Sequence, residues 1–132
     1  MSTLNPARVA REFPVRYRLE AARCEACGAV SFPARLVCPS CRGRKFTTLV
    51  LEPEGKVLTW TVIHIGPSSH KHDVPYALAV VELAGGVRLT CQLADVDPAK
   101  VEFGMRVRLE FRRIQGDGEA GVIAYGHKAI PA

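Results

Sequence analysis

The stretch RCEACGAVSFPARLVCPSCRG, residues 23–43, holds two C-x-x-C pairs, Cys24/Cys27 and Cys38/Cys41, ten residues apart. A C-x-x-C turn lets two thiolates converge on one ion, and two such turns at short spacing offer four sulfurs to one tetrahedral centre. Gly28 follows the first pair and Gly43 stands two residues after Cys41, so both are expected in turn positions with φ above zero. Pro39, between the second pair's cysteines, presets φ for the turn. The spacing therefore predicts a structural metal, zinc, on Cys24, Cys27, Cys38 and Cys41. Tetrahedral thiolate ligation alone leaves iron open as well. Disulfides are disfavoured in a chain expected in the cytoplasm. A thioredoxin-type pair needs a single motif at a strand–helix junction. Four thiolates leave no coordination position for a substrate, so the metal is not a Lewis-acid catalyst.

Between the pairs, AVSFPARLV (29–37) reads as a short strand, a turn at Pro33 and a second short strand. That is a zinc ribbon, and such a unit has so little core that the metal supplies much of its folding energy. Upstream, FPVRYRLEAARCEAC (13–27) contains a short helix or an extended arm. Phe13, Tyr17 and Phe32 are large apolar groups where little core exists to absorb them, with Arg16, Arg18 and Arg35 nearby. Two readings stay open. The aromatics pack against the rest of the chain, or these six residues form a partner-binding surface, since aromatics and arginines anchor interfaces when desolvated.

The remaining sequence is strand text. KVLTWTVIH (56–64) follows an EPEG turn, and YALAVVEL (76–83) leads through Ala84-Gly85-Gly86 into VRLTCQL (87–93). ADVDPAKVEFG (94–104) holds at most a helical turn. MRVRLEFRRI (105–114) alternates, with Met105, Val107, Leu109 and Phe111 on one face. QGDGEAG (115–121) turns the chain into VIAYGHKAI (122–130). Five strands with one helical interruption between the third and fourth predict a small barrel of the OB type, with an SH3-like barrel as the rival. The fold class is thus mainly β, in three parts: an arm or short helix over 1–22, the ribbon over 23–45 and a five-stranded OB barrel over 46–132.

In 132 residues with 48% hydrophobic content there is room for one such assembly and no run of apolar residues long enough for a membrane span. The start, MSTLNPARVAREF, lacks an apolar signal region, so a cytoplasmic location without membrane contact is expected. The formal charge of +5 is uneven: residues 1–45 carry a net +6 and residues 46–132 a net −1. Four thiolates on one Zn²⁺ would lower the total to about +3. That surplus suits RNA, cofactor phosphates or an acidic partner. Cys91, in VRLTCQL, shares a face with Val87, Leu89 and Leu93 and reads as a buried thiol with no base beside it. His64, His70, His72 and His127 form no evident catalytic set, and the H-x-H pair His70/His72 lacks a third ligand.

The order of landmarks resembles the DUF35 family, rubredoxin-like zinc ribbons fused to OB folds. R-C-x-x-C-G-x-x-x-F-P is matched by Arg23, Cys24, Cys27, Gly28, Phe32 and Pro33, and C-P-x-C by Cys38, Pro39 and Cys41. In the barrel the matches are Val74-Pro75-Tyr76, Val81-Glu82-Leu83 and Gly104-Met105. The resemblance implies a non-catalytic accessory subunit of a thiolase-like enzyme acting on acyl-CoA thioesters, with CoA or acyl-CoA bound where the two subunits meet. Its short form and R-Y-R-L arm (16–19) look most like the small subunits of thiolases in anaerobic toluene breakdown. Two other functions stay in view: a single-stranded nucleic-acid binder and a free-standing acyl-CoA-binding protein. Nucleic acid is disfavoured because aromatics are only 7% of the chain and Glu82 and Glu110 interrupt the stripe of Arg88, Arg106, Arg108 and Arg112.

Overall fold

Asn5 caps the first helix, its side chain accepting hydrogen bonds from the amides of Ala7 and Arg8. Helix α1 (Pro6–Arg11) starts on a proline, and α2 (Phe13–Arg18) has Pro14 in its first turn, where a missing N–H costs nothing. Leu19 ends α2 in the left-handed region at φ 53° and turns the chain into strand. The computed structural model describes residues 4–116 and 119–132. Asp117 and Gly118 of the expected 115–121 turn, and the first three residues, lie outside them. No described helix is long and apolar enough to cross a membrane.

The first sheet is built on β1 (Glu20–Cys24), with β2 (Val30–Ser31) on one side and β3 (Phe46–Val50) on the other, both antiparallel. The second ribbon strand expected within 34–37 is absent. FTTLV takes its place, because its β-branched residues suit a strand better than ARLV. So a strand placed at the head of the barrel segment pairs with the cysteine strand instead. EAARC is a strand without strand-forming residues. It is held between two neighbours, with Ala21 and Ala22 buried.

The second sheet holds β4 (Glu54–Ile63), β5 (Tyr76–Leu83), β6 (Arg88–Gln92), β7 (Arg106–Gly116) and β8 (Ile123–Pro131), in the order β6-β5-β4-β7-β8. A parallel bridge from Leu93 to Ala129 joins the two edges and closes the barrel. The expected helical interruption is a single 3-10 turn, Pro98–Lys100. This is the OB barrel, not its SH3-like rival. Gly55, expected in a turn, lies within β4 between Leu83 and Val107. A Cβ there would sit 2.5 Å from the Glu82 carbonyl oxygen, so only glycine allows the strands to come this close.

Val57, Val81 and Val107 are almost wholly enclosed in the barrel. Burying each such side chain contributes about 1.5–3 kcal/mol. Leu19, Ala21 and Leu51 from the ribbon side belong to the same core, and a hydrogen bond from Leu51 N to Leu19 O seals the junction. Phe111, expected on the face of Val107 and Leu109, lies outside the barrel core that those two enter. Strand β7 outruns the barrel, and Phe111 instead receives the N-terminal arm: Phe13 stacks on Tyr17, Tyr17 meets Phe111 edge-on, and Phe111 stacks on Tyr125.

His127 completes this seam, its Nδ1 donating to the Arg16 carbonyl at 2.9 Å. Burial holds the imidazole below its ordinary value of 6.5, against smaller raising effects from that bond and from Glu110. The unfolded chain therefore binds the proton more readily. The stability from this group is complete above the ordinary value and is lost as pH falls through it toward the lowered folded value. Melting curves taken between about pH 7.5 and 5 should show this loss, and His127→Gln should shrink it.

Candidate metal centre and partner surface

The two cysteine turns are near copies of one another. Cys24 N bonds to Ala29 O and Gly28 N to Cys24 O; Cys38 N bonds to Gly43 O and Arg42 N to Cys38 O. The equivalent of Gly28 is thus Arg42, not Gly43. Both sit at positive φ, 76° and 62°, and Gly43 matches Ala29. Gly43 gives the sulfurs space: a Cβ there would lie 3.3 Å from those of both Cys24 and Cys41, closer than an ordinary contact.

All four sulfurs lie within 4.8 Å of one another. The closest pairs, Cys24–Cys41 at 3.5 Å and Cys27–Cys38 at 3.6 Å, are far from a disulfide. They approach the sulfur–sulfur edge of about 3.8 Å that a tetrahedron with 2.3 Å zinc–sulfur bonds requires. Backbone amides point at the sulfurs. The N–H groups of Cys41 and Ser40 draw Cys38 down to about 6, and those of Cys27 and Ala26 lower Cys24. The Gly43 N–H lowers Cys41, but the sulfurs of Cys24 and Cys27 outweigh it and push it up to about 12. Four sulfurs this close ionise together only around a cation, so the cluster fits Zn²⁺ and leaves no open position. Among the described residues no second group of His, Cys, Asp and Glu gathers in this way. His70 is occupied with Ser69 Oγ at 2.8 Å.

The residues expected on a partner surface divide. Phe13 and Tyr17 join the aromatic series on the barrel, and Phe32 packs against the core from the ribbon. Arg16 pairs with Glu12, and Arg18 with Glu20. Arg35 stays exposed beside Leu36, which is 91% exposed, and Val37. Sequence reasoning passed over Leu36 and Val37 as ribbon strand. The signal available was only that an apolar pair sat next to Arg35 in a segment with no core. Cys91 is buried in the barrel, and burial pushes its thiol up to about 11, which keeps it protonated at neutral pH.

A cleft of about 630 Å³ opens between the arm, the ribbon and the barrel. Val15, Phe32 and Pro33 line one wall, and Leu78, Val80 and Thr90 the other. Its two arginines, Arg16 and Arg88, are paired with Glu12 and Glu82.

A four-thiolate ribbon sharing one core with an OB barrel defines a two-part class of zinc protein. Residues 11–47 match the rubredoxin-like zinc ribbon domain of ChsH2, and residues 50–112 its C-terminal OB-fold domain. The chain belongs to the DUF35 family. It is 43% identical over 122 residues to a DUF35 domain-containing scaffold protein of Methanocaldococcus jannaschii, covering 92% of this chain and 86% of that one. It is 33% identical over 75 residues to the benzoylsuccinyl-CoA thiolase subunit BbsA of Thauera aromatica, covering 57% and 51%. Among solved structures, the Ltp2-ChsH2(DUF35) aldolase aligns over 99% of this chain and 98% of that chain, with a TM-score of 0.72 and 27% identity.

Substitutions separate the metal's demands from the backbone's. Cys24→Ser or Cys41→Ser should lose the metal and loosen residues 20–50 while the barrel persists, read by elemental analysis and hydrogen exchange. Gly43→Ala should weaken zinc retention against a chelator. Arg42→Gly should keep the zinc and raise stability by about 0.5–1 kcal/mol, because glycine adopts the left-handed conformation without strain.

Proposed function

We propose that this chain is the non-catalytic, zinc-binding subunit of a thiolase-like complex acting on acyl-CoA thioesters, holding the catalytic subunit in place and contributing a wall to its CoA-binding region. The observation that carries the reading is the likeness to proteins named as scaffolds and as a thiolase subunit, on a chain whose buried thiol is held protonated. The scaffold likeness covers 92% of the chain and the thiolase-subunit likeness 57%. Support is therefore stronger for scaffolding than for the particular role of small subunit of 2-[hydroxy(phenyl)methyl]-succinyl-CoA thiolase. A catalytic partner is consistent with the aldolase in which a DUF35 chain occurs together with Ltp2.

The ribbon tip is the partner contact we favour. Arg35, Leu36 and Val37 stand free of the core, and Arg42 and Arg44 of the same ribbon are exposed as well, so an apolar pocket ringed by carboxylates would complement them. The arm residues Phe13, Arg16, Tyr17 and Arg18 frame a second part of the surface. Phe32 contributes from beneath, because it is engaged with the core. The apolar cleft suits the pantetheine or acyl portion of a thioester. The nucleic-acid reading draws less support, since the barrel arginines 88, 108 and 112 pair with Glu82, Glu110 and Asp95.

Native co-purification of a thiolase-like subunit tests the class, and its absence from every preparation sinks it. In the reconstituted pair, Leu36→Asp should weaken association by about 2 kcal/mol or more, by analytical ultracentrifugation, with zinc content unchanged. Unchanged affinity removes the ribbon tip from the interface. Cys91→Ala should leave turnover of the complex intact apart from a small stability loss. A collapse of turnover with assembly preserved would make Cys91 a reacting group and end the non-catalytic reading.

A further inference from the structure

On the barrel, Lys56, Arg88, Arg108 and Arg112 each face a carboxylate. Among the described residues, Lys71, Lys100, Arg106, Arg113 and Lys128 have no ion-pair partner, and three of these, Lys71, Arg113 and Lys128, stand around one cleft. Glu110 lies opposite Lys128 in the β7–β8 register but is engaged by Arg108. The three cations come from the β4–β5 loop, β7 and β8, and they line one cleft of about 620 Å³. Gly116 makes room for the Arg113 guanidinium, whose Nη2 lies where a side chain at that position would begin. Ser68 and Ser69 line the same cleft, Ser69 already bonded to His70, and Asp73 is the acidic residue among the described lining.

We propose that this cleft binds the phosphate groups of a small phosphorylated ligand. Lys71, Arg113 and Lys128 neutralise the charge, and the Ser68 hydroxyl donates a hydrogen bond. Among the described lining, three cations stand against one carboxylate, a surplus that exceeds what a single carboxylate ligand would balance and that a doubly charged phosphate matches. A guanidinium fork fits phosphate oxygens in pairs. The neighbouring apolar cleft adjoins it at Ile114, which lines both. A ligand with phosphates at one end and an apolar tail at the other would span the two. Identifying it as an acyl-CoA rests on the function proposed above; the phosphate subsite rests on the cleft alone.

The test uses the full zinc-loaded chain. Titration calorimetry with inorganic pyrophosphate and with adenosine 3′,5′-bisphosphate, at about 50 and 200 mM salt, should show saturable binding that weakens as salt rises. Lys71→Ala combined with Arg113→Ala should weaken it at least about tenfold, the effect of losing charge-assisted hydrogen bonds. Lys128→Ala should lower it as well, and Arg106→Ala, an exposed barrel cation outside the cleft, should not. No saturable binding of either probe overturns the proposal, as does an equal loss in Arg106→Ala. A single-stranded RNA oligonucleotide binding more tightly than the bisphosphate at the same salt overturns the small-ligand assignment. Sedimentation of the partner complex is measured separately. Failed assembly with pyrophosphate binding intact removes only the scaffold reading, and the converse removes only the subsite.

Discussion

Four sulfur atoms within 4.8 Å of one another are the constraint on which the N-terminal half depends. As thiolates they repel, and as thiols they offer weak hydrogen bonds. The ribbon has little else to enclose: its most buried side chains are Cys24, Cys38, Ala21 and Ala22. A metal ion turns that repulsion into cohesion, and structural zinc sites of this kind supply about 10–16 kcal/mol in small peptides. The backbone is prepared for it. Two turns with matching hydrogen bonds aim amides at the sulfurs, and positive φ at Gly28 and Arg42 lets each turn close.

From that centre, order passes along β1. Cys24 ends the strand at the four-sulfur cluster, while Leu19 and Ala21 at its other end enter the barrel core beside Leu51 and Val57. The arm is fastened separately, by Tyr17 on Phe111, with Phe13 stacked on Tyr17, and by His127 on the Arg16 carbonyl. Large apolar groups near the N-terminus are thus largely spent on the chain itself. What faces outward includes Arg35, Leu36 and Val37 at the ribbon tip, and Lys71, Arg113 and Lys128 around one cleft of the barrel.

The barrel strands were legible in the sequence because alternation and β-branched residues coincide there; β5 runs over Tyr76–Leu83 as its text predicts. The four-cysteine cluster was legible because its spacing is itself the geometry. EAARC was not, since nothing local marks it as a strand and only its two neighbours hold it extended. Gly43 was misread as a conformational glycine, because sequence shows a residue without a side chain but not whether backbone or space requires it. Leu36 and Phe111 failed for a related reason. Whether an apolar side chain is covered depends on where a strand ends relative to its sheet, which no local pattern records. Convergence of Lys71, Arg113 and Lys128 from three elements was equally beyond a linear reading.

The shared core of ribbon and barrel has a consequence for assembly. Two units joined by a loose linker would lose orientational freedom on docking, and that loss would subtract from affinity. Here Leu19, Ala21 and Leu51 lock the ribbon to the barrel before any partner arrives. The molecule is a bracket of fixed angle. The spacing between its ribbon tip and its clefts is already set in the free chain, so anything that seated against the tip would meet the clefts at a set distance and tilt.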